Sequence, residues 1–297
     1  ISKGLVGSEM CIRDSNPTYD LFKTEFQFPS MKLSDPNALS GELKNQYQEG
    51  PAIMSDDQKT IYYTRSNSLE SKDDALYLSL YKVNKEHLNT PDSVLGLSIN
   101  NDHYSVMHPS ISKNGERMYF ASDMPGGYGG MDLYYCDIYG LYKQFFLSDT
   151  TAARELIRLS RPVNLGRQIN TEGNEVFPFH LDDQTLFYAS DGRIGFGGLD
   201  IFMVNNYLDS TLTEIINMGK PFNSAKDDFS FFMSRDLKFG FLSSNRPGGK
   251  GDDDIYCFNT NINLSEGVDD YYTMIYGQQL DWRCYTSDAA EGGGGGG

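Results

Sequence analysis

Short apolar runs, each entered from a polar turn and left through Ser or Thr and a polar residue, recur along the chain. They read SDDQKTIYYTRS from Ser55, SKNGERMYFASD from Ser112, LDDQTLFYASD from Leu181 and SRDLKFGFLSSN from Ser234. Apolar stretches of that length, bounded by turn residues, predict strands rather than helices. Asn114-Gly115 is the clearest turn, because both residues tolerate the positive φ of a two-residue hairpin loop. No unit carries the spacing of an ordinary helix. One segment departs from the pattern: SDTTAARELIRLS, residues 148–160, has a cap-like Ser148 or Asp149 and predicts a helical turn or an extended surface loop.

Two further markers keep the same phase. Asp followed by an aliphatic and an aromatic residue occurs at Asp20, Asp132, Asp200 and Asp254, with a weaker copy, DALY, at Asp74. Gly-x-x-x-Asn falls between them as Gly41 with Asn45, Gly96 with Asn100, Gly166 with Asn170 and Gly219 with Asn223. Each unit therefore reads as strand, tight turn, strand, glycine-rich loop, strand beginning at Asp, and a linking strand before the Gly-x-x-x-Asn. One four-stranded sheet cannot bury both of its faces, whereas several packed radially can. The expectation is an all-β propeller of four-stranded antiparallel blades, with four complete repeats and part of a fifth.

Composition agrees with strands: 20 Tyr and 18 Phe stand against one Trp. No apolar run approaches the roughly 20 residues that cross a bilayer as a helix. A net charge of -16 repels phosphate backbones and anionic lipid surfaces, which argues against nucleic acid as a partner. Both ends differ in character from the repeats: GLVGSEMCIRDS at 4–15 and RCYTSDAAEGGGGGG at 283–297 resemble translated adaptor read-through, so Cys11 and Cys284 are set aside. The remaining Cys136 and Cys257 hold nearly equivalent places in different repeats and make neither a disulfide framework nor a zinc site.

The combination of Leu-Gly-x-x-Ile-Asn-Thr, Tyr-Ala-Ser-Asp and a glycine loop before Asp-Ile-Phe, as in PVNLGRQINTEGNEVFPFHLDDQTLFYASDGRIGFGGLDIFMV, resembles the TolB-like, WD-type propeller repeats of large OmpA-family cell-envelope proteins of Bacteroidetes. The resemblance covers roughly residues 19–258. It implies a periplasmic, outer-membrane-associated protein that binds other cell-envelope proteins, is anchored to peptidoglycan through a domain outside this chain, and belongs with type IX secretion or gliding components. YYTMIYGQQLDW resembles the opening of a carboxypeptidase-regulatory-like β domain, through Ile275, Gly277 and Asp281. The expected organisation is a non-native 1–15, a propeller over 16–262, a linker and truncated β domain over 263–282, and a non-native tail over 283–297.

Residues with reactive side chains read mostly as structural. The repeated Asp carboxylate is placed to accept N–H groups of the glycine loop before it, as Asx side chains do in turns. GGKGDD, residues 248–253, matches one calcium turn and makes Asp252 and Asp253 weak metal candidates, but that mechanism needs tandem copies stacked together. No cofactor is implied. His87, His103, His108 and His180 form no metal motif, and His108 and His180 are expected to line or flank the central channel. Ser110 to Lys113 matches Ser-x-x-Lys on a strand and turn, where that motif does not act. The leading reading is a non-catalytic interaction scaffold. The alternative is a five-bladed glycan-processing enzyme, for which the unrepeated acids Glu175 and Asp102 are the candidates. A serine peptidase would need a hydrolase domain downstream, which IYGQQLD does not resemble.

Overall fold

The computed structural model describes residues 21–27, 30, 32–38, 49–66, 78–84, 94–146, 149–182, 184–205, 207, 214–249, 251–260 and 281–285. Among them the ordered elements are strands. The first are β1 (Phe22–Lys23), β2 (Phe26–Gln27), β3 (Lys32–Leu33) and β4 (Asn37–Ala38), paired as β1 with β4 and β2 with β3. Blade I follows with β5 (Glu49–Met54), β6 (Thr60–Ser66), β7 (Leu78–Asn84) and β8 (Leu95–Gly96). Blade II has β9 (Val106–Ile111), β10 (Arg117–Ser122), β11 (Asp132–Phe146), β12 (Asp149–Leu159) and β13 (Val163–Asn164). Blade III has β14 (Glu175–His180), β15 (Thr185–Ser190), β16 (Asp200–Asn205) and β17 (Glu214–Asn217). Blade IV has β18 (Asp228–Met233), β19 (Phe239–Ser244), β20 (Asp254–Asn259) and β21 (Asp281–Tyr285). Within each blade the strands pair antiparallel in sequence order, except that β13 of blade II pairs with β11, and the inner strands pack in succession, β5 on β9, β9 on β14 and β14 on β18. The chain is an all-β propeller.

Residues 148–160 correct the expectation of a helical turn or loop. Asp149–Leu159 is a strand that pairs with the far half of β11, with Tyr142 opposite Leu156 and Lys143 opposite Glu155. β11 runs on past the blade, so the insertion lengthens a hairpin, and β13 takes the linking-strand place beside Tyr134 and Tyr135.

The core lies between blades. Leu80, Val106 and Phe120 fill the layer between I and II; Leu133, Val176 and Tyr188 fill that between II and III; Phe187, Phe231 and Phe258 fill that between III and IV. Phe231 stacks on Phe187 with ring centroids 4.5 Å apart. Each such ring contributes about 1.5–3 kcal/mol through burial. Ahead of blade I, Leu21 packs on Ile61, Tyr63 and Val83 of that blade, while Phe26 packs on Phe239 and Phe241 of blade IV.

Every inner strand shifts register against its neighbour midway, as a bulge with one extra residue does. The residues that absorb the shift in β9, β14 and β18 are His108, Phe177 and Ser230, with φ of 56°, 51° and 51°. Left-handed backbone at a bulky residue is costly and persists where surrounding packing holds it.

Candidate functional site: the polar clasps and the channel

The repeated acids hold the glycine loops. Asp132, at the start of β11, accepts hydrogen bonds from the N–H of Tyr128 at 2.6 Å and of Gly129 at 3.1 Å. A Cβ on Gly127 would stand 2.6 Å from the Asp132 Oδ2, so the loop can close over the carboxylate only with glycine there. Asp200 accepts from the Phe196 N–H, and Asp254 from Gly251 at 3.3 Å. All three acids are buried, and burial raises the pKa of Asp200 despite the hydrogen bonds from Phe196 and Asn217 that oppose it.

The repeated asparagines finish the sheet. Asn170 Oδ1 accepts from the Leu133 N–H at 2.8 Å while its Nδ2 donates to the Leu133 carbonyl at 3.0 Å, as a paired strand residue would. Asn223 does this for Ile201 and Asn100 for Leu80. Gly166 and Gly219, at φ of 83° and 57°, turn the chain so that the amide can reach. Since β8 and β13 are only two residues long, the side chain supplies pairing that the linking strand leaves undone.

Sequence reasoning missed the residues that join the two markers. Asn164 donates to Asp132 Oδ2 at 2.8 Å and accepts from Gly166 N–H and Asn170 Nδ2, each at 2.8 Å. Asn217 ties Asp200, Gly219 and Asn223 in the same way. The signal was present as Asn two residues before the glycine in NLGRQIN and NMGKPFN; blade I has Val94 there. Blade I also departs at the acid: the position opposite Arg65, which corresponds to Asp132 and Asp200, is held by Ser79. Asp20, Asp74, Gly41, Asn45 and His87 lie outside the described residues.

Glu175 is not an unrepeated acid. It heads β14 fully buried, accepting from Thr171 N–H at 2.7 Å, Thr171 Oγ1 at 2.6 Å and Ser190 Oγ at 2.7 Å. Its equivalent at the head of β18 is Asp228, which is paired at 2.5 Å with Arg246. Asp102 lies elsewhere, exposed in a polar recess with Ser79, Tyr81, Asn100, Asn101 and His103 that Glu175 does not border.

The inner strands line a cavity of about 380 Å³ whose wall is largely aromatic and aliphatic. His108 and His180 both reach it. His108 stacks on Phe177, ring centroids 3.7 Å apart, and its Nδ1 accepts from the Phe177 N–H at 3.3 Å. Burial depresses its pKa to about 3, so the ring is neutral and serves as an inter-blade acceptor. His180 stacks on Tyr119, and its N–H donates to Ser110 Oγ at 2.9 Å, so the serine of the Ser-x-x-Lys match ties blades II and III. Cys136 and Cys257 are free and buried, and burial pushes the Cys136 thiol up to about 12. Asp252 and Asp253 are exposed at the blade IV loop, and among the described residues no group of three or more His, Cys, Asp or Glu is placed to hold a metal ion.

No family model matches the chain, and no curated protein matches it. Solved structures of similar fold include TolB from Acinetobacter baumannii, at 14% identity and a TM-score of 0.45 over 82% of this chain and 47% of that one. A putative TolB from Agrobacterium tumefaciens is 11% identical with a TM-score of 0.46, over 82% of this chain and 71% of that one. The tricorn protease is 10% identical with a TM-score of 0.46, over 90% of this chain and 25% of that one. The chain thus spans about half the length of the Acinetobacter protein.

Proposed function

We propose that this propeller is a non-catalytic interaction module that binds other cell-envelope proteins in the periplasm, at the outer membrane. Its place is in an OmpA-family protein of Bacteroidetes, anchored to peptidoglycan through a domain outside the chain, within type IX secretion or gliding machinery. The boundaries at 15, 262 and 282 belong to the same proposal, although β21 runs across the last of them. The observation that carries the reading is how the polar repeat residues are used: Asp132, Asp200, Asn170, Asn223 and Glu175 are buried and bonded to backbone or to each other. What lines the channel is mainly apolar surface, which suits binding rather than proton transfer. Glycan hydrolysis by an acid pair requires carboxylates about 5 to 9.5 Å apart with one activated. Glu175, saturated by three hydrogen bonds, and Asp102, in a separate recess, do not supply that pair.

The test is in-cell photo-crosslinking of the native protein from an exposed turn residue such as Gln58, with cell fractionation. Crosslinks to envelope proteins in the outer-membrane fraction are expected. Hydrolysis of a glycan panel that disappears in Glu175→Gln overturns the reading in favour of the enzyme.

A further inference from the structure

One position of the repeat carries a different residue in every blade. Each inner strand sets two residues opposite one at its bulge: Gly50 and Pro51 opposite Thr64, His108 and Pro109 opposite Phe120, Phe177 and Pro178 opposite Tyr188, and Ser230 and Phe231 opposite Leu242. The second of the two is proline in three blades, whereas the first is Gly, His, Phe and Ser in turn. Positions that hold the fold keep their letter, as Asp132, Asp200 and Asp254 do, and Asn100, Asn170 and Asn223. If the first bulge residue had only to bear a left-handed backbone, glycine would serve without steric penalty. His108, Phe177 and Ser230 instead hold φ of 56°, 51° and 51° with side chains that disfavour it. All three line the channel cavity of about 380 Å³. Strained residues, and bulges that re-aim a side chain, collect at binding sites.

His108 is gripped from both neighbouring blades. Its N–H donates to Thr64 Oγ1 of blade I at 3.0 Å, and its Nδ1 accepts from the Phe177 N–H of blade III while the ring stacks on Phe177. A neutral imidazole that accepts through Nδ1 carries its proton on Nε2. That Nε2–H has no acceptor among the described residues, although His108 is only 9% exposed. Buried donors are normally paired, so a pinned one without a protein partner points to a ligand. The Ser230 hydroxyl, at the equivalent place in blade IV, likewise bonds no described residue. Around them Phe26, Phe179, Phe231 and Phe241 contribute to the wall. Asp56 and Arg235 are its charged side chains, and they are paired with each other at 2.6 Å.

We propose that the channel cavity binds one small, uncharged organic molecule with an aromatic body and a carbonyl oxygen, the oxygen accepting from His108 Nε2–H and the body lying among the phenylalanine rings. The volume falls in the range of small-molecule sites, which are mostly apolar with a few placed polar groups. The pinned donor calls for an acceptor on the ligand. Ring faces and edges on several sides favour an aromatic body, through offset and edge-to-face contacts. An ionised ligand would give up its hydration with no unpaired charge on the wall to offset the loss. The site goes beyond the interaction-module reading, since it adds a small molecule to the inside of a module whose partners bind outside.

Two matched probes test it: benzophenone, and the alkene in which a methylene group replaces its ketone oxygen without changing its shape. In NMR titrations of the purified protein, benzophenone is expected to bind one to one and about tenfold more tightly than the alkene, which leaves the buried donor unpaired. Phe177 shows that phenylalanine fits the first bulge position at φ of 51°, so it can be placed there in other blades. Ser230→Phe is expected to fill the cavity, keep the melting temperature and abolish binding. His108→Phe keeps a ring for the stack on Phe177 but removes the donor, and is expected to bring the two affinities together. No saturable binding of benzophenone, equal affinity of the two probes for the unaltered protein, or binding that survives Ser230→Phe overturns the proposal. Should either variant fail to fold, the two probes on the unaltered protein decide alone. None of these results touches the crosslinking outcome, so the two readings fail separately.

Discussion

The seam between blades III and IV and the seam beyond blade IV use the same three-strand scaffold with opposite chemistry at the loop. At the first, Gly197, Gly198 and Leu199 let backbone meet backbone, and Asp227 and Asp228 of the next blade accept and donate across the joint. At the second, Gly251, Asp252 and Asp253 present carboxylates to solvent. Glycine in these loops is therefore a mark of a neighbour rather than of a flexible turn. Where the following blade does not press in, side chains return.

The sharpest way to break that comparison is to add one methyl group on each side of it. Gly197→Ala drives a Cβ into the Lys226 backbone and is expected to cost about 3 kcal/mol, as overpacking against an element that cannot yield does. Gly251→Ala is expected to change stability by less than about 0.5 kcal/mol, as surface substitutions do. Urea unfolding midpoints of the two variants decide it; equal losses would mean that the blade IV loop is packed as tightly as its equivalents.

The asparagine clasps grade the same contrast by burial. Asn170→Ala and Asn223→Ala each strand a buried N–H and carbonyl of the third strand, and about 2 kcal/mol is expected from each in thermal or urea unfolding. Asn100 is only part buried, so water replaces its amide and about 1 kcal/mol is expected. A larger loss at Asn100 than at Asn170 would reverse the order and place blade I among the tightly closed blades.

These asparagines were legible because the marker recurs with its glycine, and so were Asp132, Asp200 and Asp254. Asn164 and Asn217 were equally visible as letters but occur in only two units, so no repeat singled them out. In blade I the Asp marker falls on Asp74, five residues before Ser79, because Ser stands in the place of the acid. Glu175 was misread for the related reason that its equivalent is Asp228, a different letter doing the same capping. Residues 149–159 contain Ala, Arg, Glu and Leu, which favour helices, and their strand state comes from a non-local partner, the far half of β11. The bulge residues His108, Phe177 and Ser230 share no side-chain character at all; their φ is imposed by a register shift and by the blade beside them.

The acids at the loops give the next smaller effect. Asp132→Ala removes acceptors 2.6 and 3.1 Å from two loop N–H groups and is expected to cost about 1–3 kcal/mol. Asp254 bonds Gly251 at 3.3 and 3.4 Å, and Asp254→Ala is expected to fall at the lower end of that range. Unchanged melting of Asp132→Ala would remove the structural reading of the repeated acid.

The smallest effect is electrostatic and has a sign set by pH. Partial burial, then Asp227, Asp252 and Asp254, raise the pKa of Asp253 in the folded chain above its ordinary 3.8. A carboxyl whose folded pKa is raised holds its proton more tightly when folded, so stability falls as pH rises from the unfolded pKa through the folded one. Asp253→Asn is therefore expected to be more stable than the unaltered chain at pH 7, by a few tenths of a kcal/mol because the group is exposed and screened. The gain should vanish near pH 3, where both states are protonated, and shrink in high salt. Asp236, lowered instead by its bonds with Ser234 and Lys238, provides the opposite sign on the far side of the same blade: Asp236→Asn should lose stability at pH 7 and recover it on acidification. The two aspartates of this blade thus give opposite signs because the groups around Asp253 repel its charge while Ser234 and Lys238 hold that of Asp236.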